Sequence, residues 1–583
     1  MGIFSKLSWF IKSEWKRYLI GVSDLVFIAI LHMFPPFIIG LIVDELNKHT
    51  LTWKLLFIQV FLIFLLTLID YGMRFIWRYA LFGGAAKLEQ ILRKRLFHHY
   101  LHMDEKFFQK YRVGDLMAHA TNDINAVQQV VGSGVLSLVD AIVTGVTTIV
   151  AMVFVVSPKL TALTLIPMPF LAVTAFYLGK WMHRAFDHYQ NSFSRLDDKA
   201  QESISGIKVI KALGQEKEDY EDFASLTNKS YQKAKKIFYI DPLFDLSSQL
   251  FIGITYVLTI FIGGGMVATG ELTVGKLISY FSYILNLTWP MFAIGQIFNI
   301  VERGDASYDR INYLLHEKSS IIEAVHDDEQ IPNGTLSYQI QEFVYPNDQK
   351  VSLANVDFKI KTGQVLGIVG PVGSGKSSII KLLLRNFDEY KGEISYSGKN
   401  IKDYSLDSYL NVVGYVPQDN FLFTSTIGEN IKFARYDASI DEIKHAAKVA
   451  DIDRDIEKFS KKYDTLVGQK GVSLSGGQQQ RIAIARALIT DPDILILDDA
   501  LSAVDALTEK NILRNLKSER AGKTTIILAQ RLSSVMNANE IIVMDKGHIS
   551  ERGRHQELLA NKGWYYDTWN KQESDRMGGL TDG

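Results

Sequence analysis

Gly370-Pro371-Val372-Gly373-Ser374-Gly375-Lys376-Ser377 is the stretch from which the fold can be read. It follows an aliphatic run, Val365-Leu366-Gly367-Ile368-Val369, and leads into a helical pattern from Ile379 to Leu384. Between a strand and a helix, the spacing G-x-x-x-x-G-K-[ST] turns backbone N–H groups inward around phosphate oxygens, at the positive end of a helix dipole. Lys376 adds a point charge for the outer phosphates, and the Ser377 hydroxyl is placed to bind Mg²⁺, with Ser378 following it into the helix. The pattern predicts an α/β domain that binds a nucleotide.

Working outward, 583 residues exceed a single domain, and a net charge of -1 gives no reason to expect nucleic acid as a partner. The absence of cysteine excludes disulfides, thiolate metal sites and cysteine catalysis, and it fits a reducing compartment. Hydrophobic residues make up 47% of the chain, an average over two unlike halves. Long apolar runs fill the sequence before Ser320, whereas the part after Gln330 has the composition of a water-soluble domain.

In the first half, residues 6–17 mix aromatic and basic side chains at helical spacing, as a helix lying in a membrane interface would. No small-residue cleavage site follows, which argues against a signal peptide. Six apolar segments, near 18–43, 54–82, 132–156, 159–182, 245–268 and 275–300, are long enough to span a bilayer. The connections at 83–131 and 183–244 are long and rich in Lys and Arg. Positive-inside logic puts them, the N-terminus and the second half of the chain in the cytoplasm. This gives a transmembrane domain at 1–315, a linker at 316–334, a nucleotide-binding domain at 335–572 and a tail at 573–583. Asp70, Arg74 and Arg78 share one helical face in the second span, and Asp140 lies in the third. Such residues are either intrahelical ion pairs or the lining of a polar cavity, with Asp140 the better candidate for the second role. Pro35-Pro36 marks a kink in the first span.

In the second half, Tyr345 precedes the phosphate loop, where an aromatic either stacks on a base or packs a strand. Gln418, in Val416-Pro417-Gln418-Asp419, can reach Mg²⁺ or a water. Leu474-Ser475-Gly476-Gly477-Gln478 opens a helix and forms a second anion site. Ile494-Leu495-Ile496-Leu497-Asp498 is a buried strand ending in a carboxylate suited to Mg²⁺, and Ser502-Ala503-Val504-Asp505 follows.

In this order and spacing, the elements resemble the ATP-binding cassette (ABC) superfamily over the whole chain: Walker A at 370–377, the Q-loop at Gln418, LSGGQ at 474–478, Walker B at 494–498 and the D-loop at 502–505. The resemblance implies an all-α six-helix transmembrane domain followed by a RecA-like ATP-binding cassette, with ATP and Mg²⁺ as cofactors. It also implies an exporter half-transporter that pairs with a second half. There Tyr345 stacks on adenine, and Ser475, Gly476, Gly477, Gln478 and Asp505 act on ATP held by the partner. The loop stretches Val113–Asp123 and Ser205–Glu216 then correspond to coupling helices. Two positions depart from the family pattern. Asp499 stands where a Glu acts as base, and Gln530 stands where a His contacts the γ-phosphate. Both together resemble the degenerate-site subunit of heterodimeric bacterial multidrug exporters. The expectation is weak hydrolysis at this chain's own site, a non-identical partner and a small lipophilic substrate moved across the plasma membrane. The alternatives are a dedicated lipid, peptide, haem or siderophore transporter, or a subunit that binds ATP without hydrolysing it.

Overall fold

The computed structural model describes residues 2–321, 331–346, 348–468 and 474–578. Two compact units emerge: Met1–Leu101 with Val113–Glu317, and His102–Arg112 with Lys318–Gly583. Part of the expected linker and of the expected tail lies outside the described residues.

The first unit contains six helices long and apolar enough to cross a membrane: α1 (Trp15–Asn47), α2 (Trp53–Leu101), α3 (Val113–Val156), α4 (Pro158–Ser205), α5 (Glu216–Ala268) and α6 (Val274–His316). They cover the six expected spans and run well beyond them. The helix of α2 passes through Gly83-Gly84 without stopping, because Leu81, Ala85, Leu88, Leu92 and Leu96 are all buried. Their spacing of three or four residues makes one continuous apolar stripe, and that packing outweighs the weak helix preference of glycine. α1 is interrupted at His32-Met33, and its second piece begins at Phe34 with the prolines in its first turn, where proline lacks only an N–H that would be unpaired anyway. Asp70 pairs with Arg74 (Nε to Oδ2, 2.9 Å) and with His32 (Nε2 to Oδ1, 3.3 Å), while the Arg78 guanidinium lies 5.4 Å from the Trp77 ring centroid. Asp140 accepts from Thr144 Oγ1 (3.1 Å) and Trp289 Nε1 (2.9 Å).

The second unit is built on a six-stranded sheet of order β10-β9-β3-β8-β7-β6, with β3 Val365–Val369, β6 Val413–Val416, β7 Ile494–Asp498, β8 Thr524–Leu528, β9 Glu540–Asp545 and β10 His548–Gly553. All but β10 run parallel. A smaller antiparallel sheet has the order β2-β1-β4-β5, from β1 Leu336–Val344, β2 Val351–Ile360, β4 Lys391–Tyr396 and β5 Lys399–Asn400. β7 is buried at every position, and its alternate residues enter different cores. Leu495 and Leu497 join one core with Ile482 and Ile484, while Ile494 and Ile496 join another with Tyr338, Ile379 and Leu383. A parallel strand covered on both faces needs apolar residues throughout, so its terminal Asp498 stands out.

One piece of the second unit comes from far upstream. The short helix Glu105–Lys110 is capped by Asp104, whose Oδ1 accepts the Phe107 N–H at 2.9 Å. Asp104 Oδ2 also accepts the Ser320 N–H (2.5 Å) and hydroxyl (2.6 Å). Glu105 meets Lys381 at 2.9 Å and Lys106 meets Glu389 at 3.0 Å. The loop stretch belonging to the nucleotide unit is therefore His102–Arg112, whereas Val113–Asp123 and Ser205–Glu216 both fall in the first unit.

Candidate nucleotide site

The loop between β3 and α7 (Lys376–Leu383) folds as its glycines require. Gly370 has φ +146, and a Cβ there would lie 2.2 Å from the carbonyl oxygen of Met544. Gly375 has φ +101, and its Cβ would approach the Ser352 carbonyl to 2.9 Å. Only glycine allows both the backbone angle and the close approach. Pro371, Val372 and Gly373 form the outer rim, with Val372 89% exposed, while Ser374 is buried beneath them. The Lys376 ammonium donates to the carbonyls of Gly370 (2.9 Å) and Pro371 (2.8 Å), which centres it in the loop. Burial lowers the Lys376 pKa, and the charges of Asp499 and Asp498 oppose that shift.

Asp498 ends β7, and its carboxylate accepts from the Tyr415 hydroxyl at 3.5 Å. Burial raises its pKa and the neighbouring Asp499 adds to the rise. The adjacent carboxylates repel each other in a poorly solvated place, an arrangement that a cation would relieve. The donor set fits Mg²⁺, since the Asp498 carboxylate and the exposed hydroxyl of Ser377 are both hard oxygens. Gln418, also exposed, follows β6 and adds an amide oxygen.

Tyr345 is half-buried, with its hydroxyl 2.9 Å from Ser378 Oγ, and it packs edge-on against Phe343 and Phe387 at centroid distances of 4.8 and 5.4 Å. The Lys381 ammonium sits 5.8 Å from the ring centroid. The side chain therefore packs its strand while remaining half-exposed close to the phosphate loop.

Asp499 takes a left-handed backbone, φ +48, a region that Asp enters more readily than most residues. Its N–H donates to the Leu528 carbonyl at 2.9 Å. Burial raises the carboxyl pKa, while the Gln530 backbone N–H, which hydrogen-bonds to it, pulls the other way. Behind it lies a cavity of about 10 Å³, room for roughly one water, whose walls include Ser502, Arg531 and Ser534. Gln530 meets Asp499 through its main-chain N–H.

Ser475 caps α8 (Gly476–Leu488) in a capping box, its Oγ accepting from Gln478 N at 3.3 Å and its N–H donating to Gln478 Oε1 at 3.1 Å. Gly477 lies against the next segment, since a Cβ there would be 2.9 Å from the Ala503 carbonyl. Gln480 fixes that segment through Ala503 N (2.9 Å) and Ser502 Oγ (3.2 Å). Asp505 caps α9 (Ala506–Glu519), accepting from Leu507 N (3.1 Å) and Thr508 N (3.0 Å), and the Thr508 hydroxyl, followed by these N–H groups, lowers its pKa. Sequence reading missed Asp104 and also Gln572, which bonds the Gln530 main chain; an Asp followed by an acidic first turn is the start signal that marks the former.

A six-helix membrane unit joined to a cassette with this loop, strand-end carboxylate and glycine-rich helix start defines an ABC transporter. The chain belongs to that family: the ABC transporter transmembrane region matches residues 19–291 and the ABC transporter domain matches residues 353–502. It binds ATP, and its two-domain layout is that of an ABC exporter. It is 42% identical over 572 residues to the "Probable multidrug resistance ABC transporter ATP-binding/permease protein YheI" of Bacillus subtilis, covering 98% of each chain. It is 40% identical over 575 residues to the "Multidrug resistance-like ATP-binding protein MdlA" of Escherichia coli, covering 98% of this chain and 97% of that one. A solved bacterial Atm1-family ABC exporter with ATP bound shares the fold, with a TM-score of 0.77 at 24% identity over 96% of this chain and 99% of the other.

Proposed function

We propose that this chain is one subunit of a pump that exports drugs or other lipophilic compounds, paired with a non-identical ABC chain. Its own ATP site turns over weakly, and its Leu474–Gln478 segment completes the partner's site. The observation that carries the reading is Asp499. Its carboxylate is one methylene shorter than a glutamate's and is hydrogen-bonded by the Gln530 N–H, so it is drawn back from the position a base must reach. The multidrug names of YheI and MdlA support the substrate class.

In this reading Lys376 and the N–H groups of Gly373–Ser377 hold the phosphates, and Tyr345 takes the adenine face. Ser377, Gln418 and Asp498 would hold Mg²⁺. When bound, Mg²⁺ neutralises charge on the β- and γ-phosphates. Gln530 can donate to a γ-phosphate but cannot carry the positive charge of a histidine. The basic connections between spans orient the N-terminus and the nucleotide unit toward the cytoplasm.

The test is steady-state ATPase activity of the purified chain alone and after co-purification with a non-identical ABC chain. Weak turnover alone and a marked gain with the partner are expected. Turnover by the chain alone at roughly 1 per second or faster, a rate ordinary for enzymes, would sink the proposal.

A further inference from the structure

Asp24 sits in α1 with 5% of its surface exposed. Its Oδ2 accepts the backbone N–H of Trp77 on α2 at 3.2 Å. Its Oδ1 is buried and accepts no hydrogen bond from the described residues. Three basic side chains within the two spans are committed elsewhere: His32 and Arg74 go to Asp70, and Arg78 lies over Trp77. A carboxylate in a membrane span with one bare oxygen requires either a proton or a cation.

The carboxylate opens onto a groove of about 360 Å³ between α1 and α2, walled by Leu19, Ile20, Phe27, Met73 and Ile76. Leu19, Ile20, Phe27 and Ile76 are each about half exposed, so the buried Asp24 lies at the bottom and apolar side chains form the rim. A volume of this order accommodates a drug-sized body. The groove's Ser23 hydroxyl is turned back to its own helix, donating to the Leu19 carbonyl at 2.6 Å, and leaves the acceptor at the bottom to Asp24.

We propose that this groove binds an amphipathic organic cation, with its ammonium hydrogen-bonded to Asp24 Oδ1 and its apolar body against Phe27 and Ile76. The chemistry selects this occupant. A single carboxylate oxygen is too few donors for a metal ion. An alcohol satisfies the acceptor but leaves the charge uncompensated, whereas an ammonium does both. That the occupant is a transported compound rests on the exporter reading above, but the ammonium–carboxylate contact does not.

The experiment uses the full chain in phosphatidylcholine nanodiscs, with radiolabelled dodecylammonium and dodecanol as probes and empty nanodiscs as background. A saturable dodecylammonium site is expected, weakened about tenfold or more by Asp24→Asn, as is usual for losing a hydrogen bond to a charged group. Asp24→Glu should retain it, and dodecanol should show no component that depends on Asp24. Three results overturn the proposal. One is no saturable amine site in the wild-type chain, the outcome if the groove instead receives a basic side chain of a partner. Another is equal amine binding by wild type and Asp24→Asn, the outcome if a proton rather than an ammonium satisfies the bare oxygen. The third is loss of amine binding when phosphatidylethanolamine replaces phosphatidylcholine, which makes a lipid headgroup the occupant. Nucleotide binding reports whether each variant is folded. If Asp24→Asn fails that check, Ile76→Trp, which fills the groove from its rim, replaces it and must abolish the amine site; unchanged binding then overturns the proposal. Binding is read without any transport, so failure of the exporter reading in the ATPase test above would leave the amine site standing, and failure of the amine site would leave the exporter reading standing.

Discussion

Gln572, in the C-terminal helix Trp564–Gly578, holds the segment that carries Gln530 from two sides. Its Nε2 donates to the Gln530 carbonyl at 2.9 Å and its Oε1 accepts the Leu532 N–H at 3.0 Å. The same main chain presents the Gln530 N–H to Asp499. A side chain far from the phosphate loop in sequence thus sets the backbone at Gln530, the γ-phosphate switch in the function proposed above.

Removing that grip should loosen the switch. Gln572→Ala is expected to lower single-turnover ATP hydrolysis at this chain's own site about fivefold, measured in a complex whose other site has been silenced, the equivalent of about 1 kcal/mol for solvent-accessible hydrogen bonds. Nucleotide binding should change little, because neither bond touches the phosphate loop. Gln572→Glu keeps the acceptor for Leu532 and should fall between. Equal rates for all three chains would show that the switch is held by other contacts.

Asp499→Glu combined with Gln530→His should restore hydrolysis at this chain's own site by more than the two single changes add in log rate. Both act on one transition state, and a well-placed base is worth about 10²–10⁴-fold. The left-handed backbone at Asp499 limits the gain, since Glu is less at ease there. The measurement is single-turnover hydrolysis in a complex whose other site has been silenced.

Gly477 and Gly476 should respond unequally to alanine. At Gly477 the new Cβ meets the Ala503 carbonyl at 2.9 Å, and Gln480 holds that segment in place. At Gly476 the nearest atom is 3.7 Å away, an ordinary contact. Gly477→Ala should therefore cost roughly 1–3 kcal/mol, the range for overpacking, and impair the complex. Gly476→Ala should leave thermal stability close to wild type. Thermal melts of the two purified variants decide the matter.

Two aspartates should move stability in opposite directions. Burial raises the pKa of Asp104, but the hydrogen bonds from Ser320 and Phe107 more than reverse this and leave it lowered. Its stabilising contribution is present above the ordinary carboxyl range and lost as pH falls through the lowered value. Asp499 is raised, so its charged form is penalised in the folded chain, and its contribution is lost as pH rises through that value. At pH 7.5, Asp104→Asn should lower the Tm and Asp499→Asn should raise it. The Asp499 difference should shrink as the pH is brought down toward 4, whereas the Asp104 difference should persist there and shrink only as the pH falls through its lowered value, which melts at a series of pH values would test.

The catalytic motifs were readable because each combines an unusual residue with a fixed local setting. Lys376 follows a strand and glycines, Asp498 ends an apolar strand, and Ser475 opens a helix. Residues whose role depends on distant partners were not readable. Asp24 is a lone acid in an apolar run, and only the packing of α2 against α1 places Trp77 and the groove beside it. Nothing in the sequence spacing ties Gln572 to Gln530, 42 residues apart. The spans were recognised by hydropathy but their helices run far past it, since the extension of α2 rests on a leucine stripe with no apolar excess overall.

The upstream origin of His102–Arg112 bears on how the chain is made. Synthesis delivers this piece about 200 residues ahead of Lys318, where the rest of its unit begins. At ~5–20 residues per second, that is a wait of roughly 10–40 seconds. During this interval Asp104 lacks Ser320 and Glu105 lacks Lys381, while the helices on either side are already entering the bilayer. The nucleotide unit consequently completes its contacts with a segment that lies between two membrane helices in the chain. Its last polar contacts form only after the membrane helices have delivered their inserted segment, so a mis-inserted chain would emerge with an incomplete cassette, a mark that quality-control proteases could read before any ATP is hydrolysed.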